Sequence, residues 1–396
     1  MPSAPLPVLV PVFMVTEVLN CAMLMVLASL WRTRLPGCRE WMASMAAVIV
    51  YLPLLGLRGI IPDSLSIVLG NTMLALSAAS HYAGCARFLR QSVPVRALTL
   101  GVLWVALGVS ACHYLVESLA GRVATVSVFL VLLFSVESRL LLRHRIREHK
   151  PAVYWASALC AALLAALHLA RGLYFATGQA EADQLLAPSL ANVVLLSLSA
   201  AMMPGLAMLA VLLLHESMLA DMRYQAHHDG MTGSLTRRQL ESQVAALIRE
   251  AERQAAPLSL LVIDFDHFKR INDNHGHAAG DQVLQAFMRI ARAHMRQQDL
   301  IGRMGGEEFA ILLPGASADA ARQVAERLRR AAEAQAVTVA DKLLPYTLSI
   351  GVATLLPQEG FAELYRRADR ALYQAKHSGR NRVCPALDAE ALPVGA

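Results

Sequence analysis

Two stretches of this chain place acids where a cation could be held. Asp264 ends an apolar run from Leu258, and Asp266 follows two residues later. Strand alternation puts both on one side of the chain at a strand end. Further on, Arg303-Met304-Gly305-Gly306-Glu307-Glu308-Phe309 sets two glycines against two acids at a tight turn. Glycine adopts a positive φ at little steric cost and lets the backbone approach a phosphate closely. Carboxylate oxygens from two adjacent strand ends suit Mg²⁺ together with nucleotide phosphates. Paired cations can activate a hydroxyl and stabilise a leaving pyrophosphate. Lys376 and Arg380 lie four apart near a helix end, where they could clamp a triphosphate. Together these residues suggest metal-dependent nucleotidyl transfer. Asp264 and Glu307 would repel each other without a cation. Asp266 and Asp273 read as braces for turns, and His267, His275 and His277 as loop packing rather than zinc ligands.

These groups need a scaffold, and the chain around them supplies one. Residues 238–254 read as a helix, 258–264 as a buried strand and 279–295 as a helix. Residues 300–304 and 308–313 flank the Gly-Gly turn as a hairpin. Then come a helix over 317–335, a strand over 346–354 and a helix over 361–378. Hairpin and βα units together point to an α/β or α+β sandwich around one sheet.

The same residues carry a resemblance. Gly305–Phe309 reads GGEEF, Asp229-Gly-Met-Thr-Gly233 resembles a D-x-L-T-G opening turn, and Asp264-Phe-Asp-His-Phe-Lys269 follows. Asn272-Asp273, Gly276-His277, Gly280-Asp281, Ser349-Ile-Gly351, Ala368-Asp369, Leu372–Lys376 and Gly379-Arg380-Asn381 come next in order. The stretch over about residues 225–385 is similar to a GGDEF diguanylate cyclase domain. Such an ordered set is far more specific than one short motif. Ser234 and Thr236 depart from the pattern, where Leu and Asn are usual, at positions that carry no metal or phosphate chemistry.

The resemblance implies a fold, an activity and roles. The fold is the α+β sandwich of nucleotide cyclases and polymerase palms. The activity joins two GTP molecules into cyclic di-GMP and releases two pyrophosphates, with Mg²⁺ or Mn²⁺ as cofactor, two ions per active half-site. Asp264, the Phe265 carbonyl and Glu307 match the metal ligands, and Glu308 the second acid of the motif. Asn272 and Asp281 match the groups that read the guanine edge. Phe268, Lys269, Gly305 and Gly306 belong to the substrate-binding set, with Lys376 and Arg380 on the triphosphate. Because each domain holds one GTP, the chemistry implies a homodimer. Arg296-Gln-Gln-Asp299 resembles an inhibitory site in which Arg296 and Asp299 bind the product.

The first half of the chain is of another kind. Hydrophobic residues make up 56% of the whole, and the mean hydropathy of +0.44 is too high for one ordinary water-soluble domain. Seven apolar segments, near 8–31, 41–61, 65–85, 97–116, 122–138, 152–177 and 189–214, are candidate membrane spans, the fifth being short. Residues 1–214 hold 14 Lys and Arg against 8 Asp and Glu, while residues 215–396 hold 22 of each. The basic excess therefore lies in the membrane half, which argues against nucleic-acid binding. Arg32, Arg34, Arg39, Arg87, Arg90, Arg96, Arg139, Arg143, Arg145, Arg147 and Lys150 fall in alternate loops. The other loops hold Asp63, Glu117, Arg122, Glu181 and Asp183. The positive-inside bias places the N-terminus outside and the second half in the cytoplasm of a bacterial inner membrane. With no basic region before it and no clear cleavage site, the first apolar stretch is expected to be retained as a membrane helix.

Glu17, His81, His113, His168 and Arg171 fall inside spans and are expected to bond between helices. The cysteines, Cys85 and Cys160 among them, read as small apolar residues without a zinc site. The expected organisation is a membrane sensory module over 1–214 and a signalling helix over 215–228. A catalytic domain over 229–386 and a flexible tail over 387–396 complete it. Two other readings compete: a degenerate GGDEF domain that only binds nucleotide, and a transporter with a regulatory tail. The acidic and phosphate-binding set is complete, against the first. Pro53 and Pro204 interrupt spans without an internal repeat, against the second.

Overall fold

A computed structural model describes residues 6–146, 149–177, 190–339 and 342–386. Arg147, Glu181, Asp183 and the tail at 387–396 lie outside them. The chain divides into two compact units, Met1–Ala220 and Asp221–Ala396.

The first unit is all helix: α1 (Leu6–Ser29), α2 (Cys38–Gly56), α3 (Gly70–Phe88), α4 (Val95–Tyr114), α5 (Leu119–Arg143), α6 (Pro151–Ala176) and α7 (Leu190–His227). A π-helical turn, Ser64–Leu69, leads into α3. Among the described residues, six stretches are long and apolar enough to cross a membrane: Leu9–Thr33 and helices α2, α4, α5, α6 and α7. The short fifth segment of the sequence reading is in fact a 25-residue helix. The segment that falls short is α3, which spends positions on Asn71, Thr72, Ser77, Ser80 and His81. Its polar face is buried, with Ser77, His81 and Cys85 turned into the bundle. The end of α2 at Gly56 also leaves Arg58 in the loop that carries Asp63. That loop set then has two basic residues, Arg58 and Arg122, still far fewer than the alternate loops.

The second unit begins on the last turns of α7. Strand β1 (Leu235–Thr236) and helix α8 (Arg237–Gln254) precede β2 (Leu258–Phe265), α9 (Phe268–His275) and α10 (His277–His294). The hairpin β3 (Leu300–Gly305) and β4 (Glu308–Pro314) follows, then α11 (Ala318–Ala334) and a small hairpin, β5 (Val337–Val339) with β6 (Lys342–Leu344). Strand β7 (Leu348–Thr354), helix α12 (Phe361–His377) and β8 (Val383–Pro385) complete it.

The main sheet runs β1-β3-β4-β2-β7-β8. Its centre is β2, antiparallel to both β4 and β7. A strand covered on both faces should read as a continuous apolar run, and Leu260–Ile263 does. Leu261, Ile263 and Phe265 pack with α9, α10 and α11 on one side. Leu260 and Val262 pack with α8 and α12 on the other. Helix α9, strands β1 and β8 and the β5–β6 hairpin escape the sequence reading. Each is eight residues or fewer, too short for periodicity to mark.

Candidate active site

The site forms where three strand ends meet. In the antiparallel register Asp264 stands opposite Glu308 on β4 and opposite Ser349 on β7. Asp264 shares its face with Leu260 and Val262, so it looks toward α12. There Lys376 Nζ meets Asp264 Oδ2 at 2.9 Å. The cation that the sequence reading required between the acids is, in the folded chain alone, this ammonium. Burial pushes the Asp264 carboxyl up despite Lys376, which pulls it down. Burial likewise raises Glu307, and the Asp264 charge adds to it. Both groups are thus poised to gain from a stronger cation than one lysine.

Glu307 owes its place to the hairpin tip. The register slips between Arg303 and Gly305, and Gly306 takes φ +50°. A side chain at Gly306 would carry a left-handed cost of about 1–2 kcal/mol. Glu308 accepts a short hydrogen bond from the Tyr365 hydroxyl of α12. Burial first and the Glu308 carboxylate second push the Tyr365 phenol up, so it stays a donor.

Asp266 does not share the cation. It is 6% exposed and accepts from Thr347 Oγ1 at 2.7 Å, Ser349 Oγ at 2.7 Å and the Asn381 amide at 2.9 Å. It ties β2 to β7 and to the chain after α12, the bracing role expected of it. The strand alternation expected to keep Asp264 and Asp266 on one side does not reach Asp266, because β2 ends at Phe265 and the chain turns.

Asn272 sits on α9 beside the start of α10. A Cβ added at Gly280 would lie 2.1 Å from Asn272 Oδ1 and 3.0 Å from Phe268 Cζ. Glycine is there so that the amide and ring can occupy that space. Asn272 Oδ1 is buried and has no partner, as fits a group that waits for a ligand. Asp281 follows Gly280 near the start of α10, half-buried. Lys269 is exposed on α9, and Phe268 is buried beneath it. Phe265 is 1% exposed, which leaves its backbone, not its ring, to serve the site. Arg380 lies exposed past α12 at φ +61°. It makes no contact with the acids, unlike Lys376.

Arg296 and Asp299 close one turn on themselves. The Arg296 amide donates to Asp299 Oδ2 at 2.7 Å, and the Asp299 amide to the Arg296 carbonyl at 3.1 Å. The two form no ion pair, so the exposed guanidinium remains available.

The sequence reading missed Arg303. Its guanidinium meets Asp229 at 3.1 Å and donates to the Gly306 carbonyl at 2.9 Å from Nε. It also holds Gly306 through Nη2 at 2.6 Å. Asp229 in turn accepts from the Thr232 hydroxyl at 2.6 Å and amide at 2.9 Å. Burial would raise the Asp229 carboxyl, but Thr232 and Arg303 together hold it below the usual range. Arg303 thereby fastens the Gly-Gly tip to the opening turn. The signal was there in an arginine two residues ahead of Gly305, but nothing in its spacing from Asp229 showed that they meet.

A family model described as "Diguanylate cyclase, GGDEF domain" matches residues 226–382. The chain is 42% identical over 167 residues to Diguanylate cyclase DgcP of Pseudomonas aeruginosa, covering 42% of this chain and 25% of that protein. It is 44% identical over 166 residues to Diguanylate cyclase DgcM of Escherichia coli (strain K12), covering 42% of this chain and 40% of that protein. The chain thus spans between a quarter and two fifths of the length of these relatives. Among solved structures, the GGDEF domain of DgcB from Caulobacter crescentus in complex with c-di-GMP is 32% identical. That likeness covers 41% of this chain and 94% of that one, with a TM-score of 0.40. Residues 226–382 of this chain thus carry a GGDEF domain.

Proposed function

We propose that the protein is a membrane-anchored diguanylate cyclase that condenses two GTP into cyclic di-GMP and two pyrophosphates. The observation that carries this reading is the pair of carboxyls at Asp264 and Glu307, both raised, with a lysine ammonium on Asp264. Two carboxylates and the Phe265 carbonyl form an all-oxygen donor set, which fits Mg²⁺ or Mn²⁺. Two such ions per half-site would neutralise charge on the phosphates and ease loss of the proton from the attacking hydroxyl. Asp264 and Glu307 would hold them. Lys376 then leaves Asp264 for the triphosphate, joined by Arg380 from the turn beyond α12. Asn272 and Asp281 accept from and donate to the guanine edge, with Phe268 and Lys269 beside them. Gly305 and Gly306 let the backbone approach the phosphates. The 3′-hydroxyl of one GTP attacks the α-phosphorus of the other, a P–O bond forms, pyrophosphate leaves, and the hydroxyl proton is taken up by base. Two such steps close the ring, so two domains must face each other in a homodimer.

The membrane unit is a multi-pass anchor in a bacterial inner membrane, N-terminus outside and GGDEF domain cytoplasmic, as the loop charges favour, with α3 as a seventh crossing whose polar face is shielded inside the bundle. Its control passes through residues 215–228, which continue from α7 into the domain, and the product restrains the enzyme at Arg296 and Asp299.

The test is product formation from GTP and Mg²⁺ by the full-length protein in detergent. The parent should make cyclic di-GMP. Glu307→Ala should lose at least about a hundredfold. Arg296→Ala should keep activity and lose inhibition by added product. Absence of product from the parent, even as an enforced dimer, would leave a nucleotide receptor.

A further inference from the structure

Helix α3 carries His81 and Cys85 one turn apart, so both face the same neighbour. That neighbour is α5, and the residue facing them is Glu137, which the sequence reading did not single out. His81 is 4% exposed, Cys85 2% and Glu137 0%. One Glu137 oxygen lies 3.4 Å from His81 Nε2 and 3.8 Å from Cys85 Sγ. The three donor atoms all lie within 4.8 Å of one another. The second carboxylate oxygen of Glu137 is buried and has no partner.

These separations discriminate between two accounts. A charge-assisted N–H···O bond is about 2.7–2.9 Å long, so 3.4 Å is slack for a buried ion pair. Metal–N and metal–O bonds of about 2.0–2.1 Å and a metal–S bond of about 2.3 Å set the edges of a tetrahedron. They give about 3.3 Å for N···O and about 3.6 Å for S···O. The observed spacing resembles those edges more than it resembles hydrogen bonds.

Charge points the same way. Among the described residues no Lys or Arg lies within ion-pair distance of Glu137. A carboxylate in an apolar bundle is costly unless it is paired or bound to metal. A thiolate and a carboxylate carry two negative charges, and one divalent cation cancels them. Imidazole, thiolate and carboxylate together select a borderline transition metal over Mg²⁺ or Ca²⁺, which take oxygen. The Trp41 ring flanks His81 with centroids 6.2 Å apart, covering one side.

We infer that His81, Cys85 and Glu137 form a binding site for a divalent transition-metal cation of the zinc class inside the helical unit. Neutral His81 offers Nε2, Cys85 loses its thiol proton on binding, and Glu137 supplies an oxygen. The fourth position is left to water or an outside donor. Occupancy ties α3 to α5, and the cysteine that the sequence presents as a small apolar residue becomes a ligand.

The test uses full-length protein in detergent, stripped with EDTA and titrated with CoCl₂ alone. One Co²⁺ per chain should produce a thiolate-to-cobalt charge-transfer band and the visible bands of tetrahedral cobalt, both erased by ZnCl₂. Cys85→Ser should abolish the charge-transfer band, and Glu137→Gln should weaken cobalt binding at least about tenfold. Cys21→Ser and Cys384→Ser should leave the band intact. His81→Gln, checked for helix content by circular dichroism, gives a second loss should Cys85→Ser fail to fold. Cobalt held by oxygen ligands in the GGDEF domain gives no thiolate band, so this readout stands apart from the cyclase reading. A parent protein without the band, or a band that survives Cys85→Ser, would overturn the assignment and leave a hydrogen-bonded triad.

Discussion

The two units treat buried polar groups differently. In the GGDEF domain they are closed: Asp266 alone satisfies three donors. Among its described residues, the buried side-chain atoms without a partner belong to Asn272 and Tyr346. In the helical unit such atoms recur on Glu17, Asn20, Trp41, Glu137, His168, Arg171 and Ser199, among others. A sheet brings three strand ends and a helix to one point, so many donors can converge on one acid. Helices spend their backbone groups internally and meet along stripes, so a polar side chain finds few partners. Open groups are therefore informative in the domain, where Asn272 and Tyr346 are the exceptions among the described residues, and less so in the bundle. There only a cluster with consistent spacing, such as the one at Glu137, stands out.

The contrast can be broken most forcefully at Asp266. Asp266→Ala orphans the Thr347 and Ser349 hydroxyls and the Asn381 amide. It should cost about 3 kcal/mol or more of domain stability, measured by chemical denaturation. A loss under about 1 kcal/mol would mean that the closed network matters little.

Gly280→Ala sharpens it next. The added methyl meets Asn272 Oδ1 at 2.1 Å, so the amide must move while the backbone stays. The expected result is a rise in KM for GTP of about tenfold with an unchanged unfolding midpoint. Equal KM would show that Asn272 does not read the substrate.

His168→Leu probes the other side of the comparison. Both ring nitrogens of His168 are buried without a partner among the described residues, and the ring stacks on Phe134. Replacing it with an apolar side chain should change the thermal midpoint by the equivalent of less than about 1 kcal/mol, or raise it. A large drop would reveal a bond that the structure does not contain.

The smallest effect concerns pH. Asp264 and Glu307 are both raised in the folded domain, so they hold protons more tightly folded than unfolded. Without metal, the stability this confers is present at acid pH and is lost as pH rises through their raised values. Relative to Glu307→Gln, the parent in EDTA should therefore lose stability between mildly acid and neutral pH. Saturating Mg²⁺, which binds the ionised form, should reverse the sign. The readout is the unfolding midpoint across a pH series.

Much of the domain was legible because its signals are local. The apolar run at Leu260–Ile263, the Gly-Gly turn and the spacing of the acids mark the central strand, the hairpin and the candidate metal ligands without any tertiary knowledge. Lys376 was singled out in the sequence for a triphosphate but not as the partner of Asp264, since that contact joins residues more than a hundred positions apart. Arg303 was invisible for the same reason, as its role depends on a turn 74 residues earlier. In the helical unit, hydropathy marked seven helices. It did not mark that α3 would bury its polar face, because α3 is the least apolar of them by composition and its neighbours decide what it touches.

What the sequence determined by itself was the kind of each part: an apolar helical half, an α/β half, and a set of acids and glycines in the order of one family. Those are properties of composition, period and spacing along the chain. What only the tertiary structure decided was which groups meet. Antiparallel register put Asp264 opposite Glu308. The end of β2 turned Asp266 into a brace, and the packing of α3 on α5 set Glu137 between His81 and Cys85. Contacts of that kind come from register and helix rotation, which no local pattern encodes.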